Sequence, residues 1–326
     1  MRRRRLGHTD LELSVIGFGA WAIGGGDYAF GWGPQDDRES IKAIHKALDV
    51  DVNWIDTAAV YGLGRSEEVV GEALKGIREE VILATKCGLV WDDQGNITNC
   101  LTSESVRREA ESSLRRLRTE YIDLYQIHWP NPDEDIEEAW EEMVKLEEEG
   151  KVRYPAVSNF DTQQMSRAAA IHPIASLQPP YNMFRRGIES EILPYCSEHA
   201  IGVVAYSPMQ NGLLTGKFTK ESIQNLPDDD FRKVKNVHFQ EPEVGINLET
   251  VEKLGPIAQE QDLTLAQLAL AWVLRRPEVT SAITGTRKSS QIEETAQAGE
   301  QDLDESTVAG IEALLDEREE RLKAQA

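Results

Sequence analysis

The chain has 326 residues, of which 40% are hydrophobic, and its 57 acidic residues exceed its 35 Lys and Arg residues to give a net charge of −22. This length suits one large α/β barrel or two ordinary domains, and no apolar run approaches the roughly 18 residues that a membrane span needs. The negative charge disfavours nucleic acid and anionic membranes as partners, because both would be repelled.

The N-terminal residues predict a β-hairpin. A short charged strand turns at "GHTD" into "LELSVIGFG", and turn residues between two short runs are typical of such hairpins. Residues 2–5 are four arginines, which could instead form a nuclear-type basic patch; the hairpin is the favoured interpretation. The segment lacks the apolar stretch of a signal peptide.

Strand-like and amphipathic helical runs then alternate. The predicted strands are residues 15–21, 52–58, 81–87, 122–129, 152–159, 176–182, 202–208 and 280–285. The helical patterns between and after them are residues 36–50, 65–76, 103–117, 135–149, 161–171, 189–200, 264–276 and 289–298. Eight such units with short connections, and no linker rich in Pro or Ser, predict a single (β/α)8 TIM barrel over residues 1–326.

Two segments lie outside this repeat. Residues 209–247 follow the seventh strand and are too long for an ordinary connection, so we expect a functional loop with small helices of its own. Residues 304–322 predict an added C-terminal helix. Within the fifth strand, Pro155 removes a backbone donor, so we expect that strand to be locally irregular.

The competing architecture is the doubly wound dinucleotide-binding fold. Its GxGxxG fingerprint leads directly from a strand into a helix. The nearest candidates are Gly17, Gly19 and Gly24, but their spacing differs and they run into a loop rich in glycine and aromatic residues. The barrel is therefore the favoured fold.

Polar residues end several predicted strands, where the chemistry of a TIM barrel collects. The second strand ends at Asp56, with Tyr61 in the loop beyond; the third ends at Lys86 and the fourth at His128. Each residue alone could be a helix cap, a packing residue or a residue at the barrel rim whose hydrogen bonds are made within the protein. Together, an acid, a lysine and a histidine that end three successive strands predict an active site.

Lys86 lies in the apolar run "VILATKCGL", where an unpaired ammonium is costly to bury. Asp56 on the adjacent strand would pair with it. A phenol has a pKa near about 10 that a nearby cation lowers, which would make Tyr61 a general acid or base. With His128 donating to the same substrate oxygen, the site suits carbonyl–alcohol conversion, and the hydride must come from a nicotinamide cofactor because no side chain supplies one.

Seven segments, in order along the chain, resemble the aldo-keto reductase superfamily: "WIDTAAVYGLGRSEEVVGEAL", "VILATKCG", "LYQIHWP", "AVSNF", "SLQPPYNMF", "VVAYSPMQNGLLTGKF" and "AITGTRKSSQIEE". The similarity is greatest to bacterial members that include general-stress and inositol-related proteins, and more distant to potassium-channel β-subunits. It implies a barrel without a Rossmann domain and NADP(H)-linked reduction of aldehydes or ketones. It also implies a catalytic tetrad of Asp56, Tyr61, Lys86 and His128, with Tyr61 as the acid.

The resemblance also implies a cofactor site that includes Asp56. The residues assigned to it are Gly19 and Ala20 beneath the middle of the cofactor; Ser158, Asn159 and Gln178 at the nicotinamide carboxamide; Tyr206 stacked on the nicotinamide ring; Ser207, Pro208, Met209, Gln210, Asn211 and Lys217 at the pyrophosphate; and Gly285, Thr286, Arg287, Gln291 and Glu294 at the adenosine end.

The chain departs from many relatives at this adenosine end. It has Gln291 and Thr295 where they have an arginine and an asparagine. That leaves Arg287, alone or with Lys288, as the expected partner of a 2′-phosphate, since a guanidinium can form two parallel hydrogen bonds to a phosphate. We expect NADP(H) as cofactor, with use of NAD(H) as well remaining open.

Aromatic residues on or near the expected active-site loops could line an apolar substrate pocket. They are Trp21, Tyr28, Phe30, Trp32, Trp91 and Trp129. Some would simply pack loop against loop, and Trp21 and Trp129 are the two that we assign to a small carbonyl or alcohol substrate. Two other functions fit the same residues: a nucleotide-binding regulatory subunit with slow turnover, and a polyol or sugar dehydrogenase.

The cysteines, histidines and acidic runs of the sequence indicate the environment in which the protein works. Cys87, Cys100 and Cys196 form no CxxC pair, which predicts a reducing, cytoplasmic location. The six histidines match no zinc-binding spacing, so we expect no metal. The acidic runs, such as residues 133–150, are either an ordinary solubilising surface or an adaptation to high salt, which would screen the self-repulsion. The sequence does not predict an oligomeric state.

Overall fold

The computed structural model describes residues 1–26, 31–228 and 230–325, so Tyr28 and Phe30 lie outside the described residues. The strands are β1 (Arg3–Arg5), β2 (Glu12–Ser14), β3 (Ile16–Gly19), β4 (Trp54–Asp56), β5 (Ile82–Cys87), β6 (Leu89–Trp91), β7 (Ile97–Asn99), β8 (Ile122–Ile127), β9 (Val152–Ser158), β10 (Ser176–Gln178), β11 (Gly202–Ala205) and β12 (Val279–Gly285).

The helices follow the same order along the chain. They are α1 (Asp37–Asp49), α2 (Arg65–Ala73), α3 (Ser103–Leu117), α4 (Ile136–Glu148), α5 (Thr162–Ala169), α6 (Ile192–Glu198), α7 (Lys220–Gln224), α8 (Phe231–Val234), α9 (Glu243–Glu260), α10 (Leu265–Leu274), α11 (Ser289–Ala296) and α12 (Glu305–Lys323). Short 3-10 turns occupy Trp21–Ile23, Arg78–Glu80, Asp133–Asp135, Gln210–Thr215, Val237–Phe239 and Gln297–Glu300.

Eight parallel strands close into a barrel. Their order is β3-β4-β5-β8-β9-β10-β11-β12, with helices between successive strands. This arrangement confirms the predicted (β/α)8 TIM barrel and excludes the doubly wound alternative. Since successive residues of a strand face opposite sides, every second residue points into the barrel.

The lower part of the barrel interior is apolar. Trp54, Ala84 and Leu124 pack there together with Leu6 and Leu13, which belong to the N-terminal hairpin or its turn. The antiparallel pairing of β1 with β2 confirms this hairpin. It covers the end of the barrel at which the strands begin, so the site is left to the opposite, C-terminal end.

Gly17 is needed for packing. A Cβ atom at this position would lie 2.2 Å from ring atoms of Trp54. The Trp54 indole in turn donates to the Ser14 carbonyl at 3.2 Å and to the Ser281 hydroxyl at 3.0 Å. The glycine of strand β3 therefore makes room for an indole inside the barrel.

The structure corrects the prediction for the segment after β11. Residues 209–247 contain small helices, as expected, but α9 begins inside this segment at Glu243 and continues to Glu260. The sequence did not predict this helix because Pro256 interrupts its pattern and because Asn247 and Thr250 lie on its buried face.

Two further differences are local. The hairpin of β6 and β7 follows β5 and was not predicted. Strand β9 continues through Pro155 without interruption, and the Pro155 carbonyl accepts from the Ala175 N–H at 3.1 Å, so the expected irregularity is absent there. The predicted C-terminal helix is α12, which Asp304 caps by accepting from the Thr307 N–H. Among the described residues, no helix is both long and apolar enough to cross a bilayer.

Candidate active site

Lys86 points into the barrel from strand β5, on the same face as Ala84. Its side chain is almost completely buried, and its Nζ atom donates to both carboxylate oxygens of Asp56, at 2.7 and 2.8 Å, and to the Thr57 carbonyl at 2.8 Å. The ion pair that the sequence predicted is therefore present. Burial lowers the pKa of Lys86, and the Asp56 charge opposes that shift.

Tyr61 lies beside this ion pair, in the loop between β4 and α2. Its hydroxyl oxygen is 3.4 Å from Lys86 Nζ, which also lies 5.1 Å from the centre of the phenol ring. The loop is held by a close backbone contact: a Cβ atom on Gly62 would lie 2.0 Å from the Gly24 carbonyl oxygen, and Gly62 has a φ of +62°. Only glycine fits there, so this contact fixes the chain next to Tyr61.

His128 follows strand β8 and lies next to Tyr61. The two rings meet edge to face, with centroids 5.8 Å apart, and the His128 backbone N–H donates to the Cys87 carbonyl. Burial, together with the charge of Lys86, holds the pKa of His128 well below its usual range. The imidazole is therefore neutral at neutral pH and can form hydrogen bonds without acting as an acid.

Two buried glutamines complete the surroundings of Asp56. Gln178 Nε2 donates to Asp56 Oδ1 at 2.8 Å, and Gln126 Nε2 approaches the same oxygen at 3.3 Å. Sequence reasoning assigned Gln178 only to the cofactor and missed Gln126. The signal was available, because Gln126 lies two residues before His128 and so faces the same way on a buried strand.

The residues expected at the nicotinamide form a connected chain of hydrogen bonds. Ser158 Oγ donates to the Gln178 carbonyl at 2.9 Å, and Asn159 Nδ2 donates to the His128 carbonyl at 3.0 Å. The Tyr206 hydroxyl donates to Asn159 Oδ1 at 3.0 Å. The structure thus joins these four residues through hydrogen bonds, and Gln178 links them to Asp56.

The turn after β11 contains Ser207, Pro208, Met209, Gln210 and Asn211. Ser207, Gln210 and Asn211 have positive φ angles of 51°, 48° and 54°. Asn182, which sequence reasoning missed, donates to the Ser207 carbonyl at 2.9 Å and to Gln210 Oε1 at 2.7 Å. Lys217 lies farther along this segment, is largely exposed, and has its Nζ atom 3.6 Å from a Glu294 carboxylate oxygen.

Glycines and small residues border the space between this turn and strand β3. A Cβ atom at Gly285 would meet no atom within 4 Å, so this residue faces open space. The Thr286 N–H donates to the Gly19 carbonyl at 3.4 Å, and the Ala20 N–H to the Asp56 carbonyl at 2.8 Å. The end of β12 at Gly285 therefore leaves its backbone open to a ligand.

Arg287 has hydrogen-bond partners within the protein. Its guanidinium donates to Gln35 Oε1 at 2.7 Å, to the Trp32 carbonyl at 3.1 Å and to the Pro34 carbonyl. Gln291 Oε1 accepts from the Arg287 and Lys288 backbone N–H groups at 2.8 and 3.1 Å. Arg287 therefore holds the segment after β3, and it would have to exchange these bonds to bind a phosphate. Lys288 is exposed.

The aromatic residues near the site fall into two groups. Trp21 lies 6.4 Å from Tyr61 and 5.3 Å from Trp32, measured between ring centroids. Trp129 follows His128 and is 43% exposed. Trp91 instead lies 5.9 Å from the guanidinium of Arg116, so it packs against a helix. Within residues 1–26, 31–228 and 230–325, no group of three or more His, Cys, Asp and Glu side chains is arranged to hold a metal.

Comparisons with known proteins show the family to which the chain belongs. A model of the Aldo/keto reductase family matches residues 15–316. Aldo-keto reductase YhdN of Bacillus subtilis (strain 168) is 41% identical over 296 residues, which cover 90% of this chain and 87% of that protein. NADH-specific methylglyoxal reductase of Escherichia coli (strain K12) is 34% identical over 91% of this chain and 93% of that protein.

A solved structure is similar over nearly the full length. The glycerol dehydrogenase AKR11B4 of Gluconobacter oxydans superposes with a TM-score of 0.88 and 37% identity, covering 97% of this chain and 95% of that one. The chain therefore belongs to the aldo/keto reductase family.

Proposed function

We propose that this protein reduces aldehydes and ketones to alcohols with a nicotinamide cofactor, and that Tyr61 is the general acid. The observation that carries the proposal is the position of the Tyr61 hydroxyl, 3.4 Å from Lys86 Nζ and beside a neutral His128. Of the groups that meet there, the phenol is the one that can donate a proton while a cation stabilises the anion left behind.

The protein's own residues have separate roles in this mechanism. When bound, the nicotinamide cofactor supplies the hydride. Tyr61 transfers its proton to the substrate oxygen, and the Lys86 ammonium stabilises the phenolate that remains. Asp56 holds Lys86 through two hydrogen bonds. The neutral imidazole of His128 donates a hydrogen bond to the same oxygen and orients the carbonyl.

The direct test follows the absorbance of NADPH, and separately NADH, with an aromatic aldehyde as acceptor. Tyr61→Phe should abolish turnover and leave nucleotide binding unchanged, because it removes only the hydroxyl. Turnover of the variant near the wild-type rate would show that Tyr61 is not the proton donor. A slow-turnover regulatory subunit would instead bind NADPH in the wild type and turn over no faster than the variant.

For the cofactor we propose NADP(H), with NAD(H) used as well. The support is Arg287, a cation at the expected adenosine end, whose present partners are a neutral amide and two backbone carbonyls. A phosphate dianion is a stronger acceptor than these groups. Arg287→Ala should weaken NADPH binding about 10-fold and NADH binding less, and Lys288→Ala tests the neighbouring cation in the same way. Equal loss for both nucleotides would contradict a 2′-phosphate contact.

A second function, oxidation of a polyol, is favoured by the similarity to a glycerol dehydrogenase. It needs no further residue, because Tyr61 would then accept the alcohol proton as a phenolate. Assays with glycerol and oxidised nucleotide, run beside the aldehyde assay, distinguish oxidation from reduction.

We also propose that Trp21 and Trp129 contact the substrate, since they border the Tyr61–His128 pair.

A further inference from the structure

We propose that Gln126 is a positioning residue that fixes the orientation of the Gln178 amide, so that Gln178 presents its carbonyl oxygen to the cofactor. This inference rests on the proposed nucleotide-dependent function. Gln126 is the last residue but one of strand β8, is fully buried, and pairs in register with Lys86 of β5.

The acceptor that sets both amides is Asp56 Oδ1. This atom accepts hydrogen bonds from Lys86 Nζ at 2.7 Å, from Gln178 Nε2 at 2.8 Å and from Gln126 Nε2 at 3.3 Å. A carboxylate that is paired with an ammonium only accepts hydrogen bonds. Both glutamines must therefore turn their nitrogen toward Asp56, since the opposite orientation would place an amide oxygen against a carboxylate.

Gln126 adds a second constraint. With its nitrogen toward Asp56, its Oε1 atom accepts from Gln178 Nε2 at 3.2 Å. The two N–H groups of Gln178 are thus used by Asp56 and by Gln126. The Gln178 backbone is also held, because its carbonyl accepts from Ser158 Oγ at 2.9 Å and from the Asn159 N–H at 3.2 Å.

One polar atom of Gln178 is left. Among the residues that the structure describes, no group donates a hydrogen bond to Gln178 Oε1. The residue therefore offers an acceptor alone, and an amide N–H donor, such as the carboxamide of nicotinamide, is the group that matches it. Without Gln126, Gln178 would lose a partner for one N–H group and could rotate away from this orientation.

The test is a double-mutant cycle on nucleotide binding. Gln126→Met keeps the length and volume of the side chain but removes both hydrogen bonds, and Gln178→Met removes the acceptor itself. We measure the Kd of NADPH and of NADH by fluorescence titration, the KM of the nucleotide in turnover, and the Tm. Ser176→Ala is the matched control, because Ser176 is also buried on β10 and its hydroxyl has no hydrogen-bond partner among the described residues.

We expect Gln126→Met to weaken nucleotide binding about 3- to 10-fold, as for the loss of one oriented hydrogen bond. In the Gln178→Met background the same change should alter Kd by less than about 2-fold, because the two residues act through one contact. Ser176→Ala should leave Kd unchanged. If Gln126→Met does not fold, Gln126→Leu serves in the same cycle.

The outcomes separate this inference from the function on which it rests. A wild-type protein that binds neither nucleotide would overturn both. Nucleotide binding that is unaffected by Gln126→Met or by Gln178→Met would overturn the inference and leave the function intact. Equal losses for Gln126→Met in the wild-type and Gln178→Met backgrounds would also overturn it, since Gln126 would then act independently of Gln178.

Discussion

Two buried carboxylates lie behind strand β5, and they differ in their partners. Glu67 accepts from the Thr85 hydroxyl and from the Arg116 guanidinium, each at 2.6 Å. Glu109 accepts from the Gly88 N–H and the Ser105 hydroxyl, each at 3.0 Å, and has no ion-pair partner among the described residues. Burial therefore raises the pKa of Glu109 to about 7, against an ordinary value of 4.5.

The sign of the pH dependence follows from this shift. Between about pH 4.5 and 7 the folded protein holds a proton on Glu109 that the unfolded chain has released, so the free energy of unfolding decreases as the pH rises. Glu109→Gln keeps a neutral acceptor for the Gly88 N–H at every pH. We predict that this variant is more stable than the wild type at pH 8, by roughly 1–3 kcal/mol, and about equally stable at pH 5.

Thermal unfolding at several pH values measures this difference. Glu104→Gln, an exposed position on the same helix, is the control and should change the Tm little at either pH. A gain in Tm for Glu109→Gln that is the same at pH 5 and pH 8 would mean that Glu109 is ionised in the folded protein throughout this range.

At the scale of elements, the N-terminal hairpin depends on one of its arginines. The Arg4 guanidinium donates to the carbonyls of Leu274, Arg276 and Val279, at 2.9, 3.1 and 2.5 Å. These carbonyls lie at the end of α10, in the connection that follows it and at the start of β12, so Arg4 joins the hairpin to the last strand of the barrel. Arg3, one residue earlier on the same strand, is exposed.

We predict that Arg4→Ala lowers the free energy of unfolding by about 1–3 kcal/mol, because it removes three hydrogen bonds from the guanidinium to partly buried carbonyls. Arg3→Ala should change it by less than about 0.5 kcal/mol, as for an exposed side chain. Urea unfolding of the two variants measures both. If the two substitutions have equal effects, the arginines act through their charge alone and not through the carbonyl contacts.

The elements also show what a sequence can and cannot predict. Seven of the eight barrel strands could be placed within about three residues at either end, because continuous apolar runs are long enough to recognise and chemistry collects at strand ends. The tenth strand, Ser176–Gln178, is shorter than predicted because two prolines follow it. Helix α9 was missed, since Pro256 and a partly polar buried face hide its period.

The contacts of the site can also be divided into those that the sequence predicts and those that it does not. Asp56 and Lys86 could be predicted as a pair because a buried lysine needs an acid on a neighbouring strand. The engagement of Arg287 with Gln35 could not, because 252 residues separate the two partners and no local pattern links them. Gln126 is a third case. The alternation of side chains along strand β8 predicts that Gln126 is buried, but only its contacts with Asp56 and Gln178 show what the residue does.

At the scale of the whole molecule, many Lys and Arg side chains form ion pairs, and a large excess of Asp and Glu side chains remains. Arg167, for example, holds Asp133 at 2.7 Å and Glu137 at 2.6 Å, and Arg107 holds Glu142 and Glu149. The net charge of −22 is the acid left over from such pairing. Its mutual repulsion destabilises the compact state, and salt screens it.

We therefore predict that the Tm rises by several degrees between about 0.1 and 1 M KCl, over which the screening length falls from about 10 to about 3 Å. Glu141 and Glu148 of α4 are exposed and have no ion-pair partner among the described residues, and Glu148 lies at the end of the helix, where negative charge is unfavourable. Replacing both with glutamine should raise the Tm at low salt and reduce its dependence on KCl. A Tm and an activity that stay the same or fall in molar salt would contradict this prediction. The attraction within ion pairs would then outweigh the repulsion between unpaired acids, and the acidic surface would be ordinary solubilising charge.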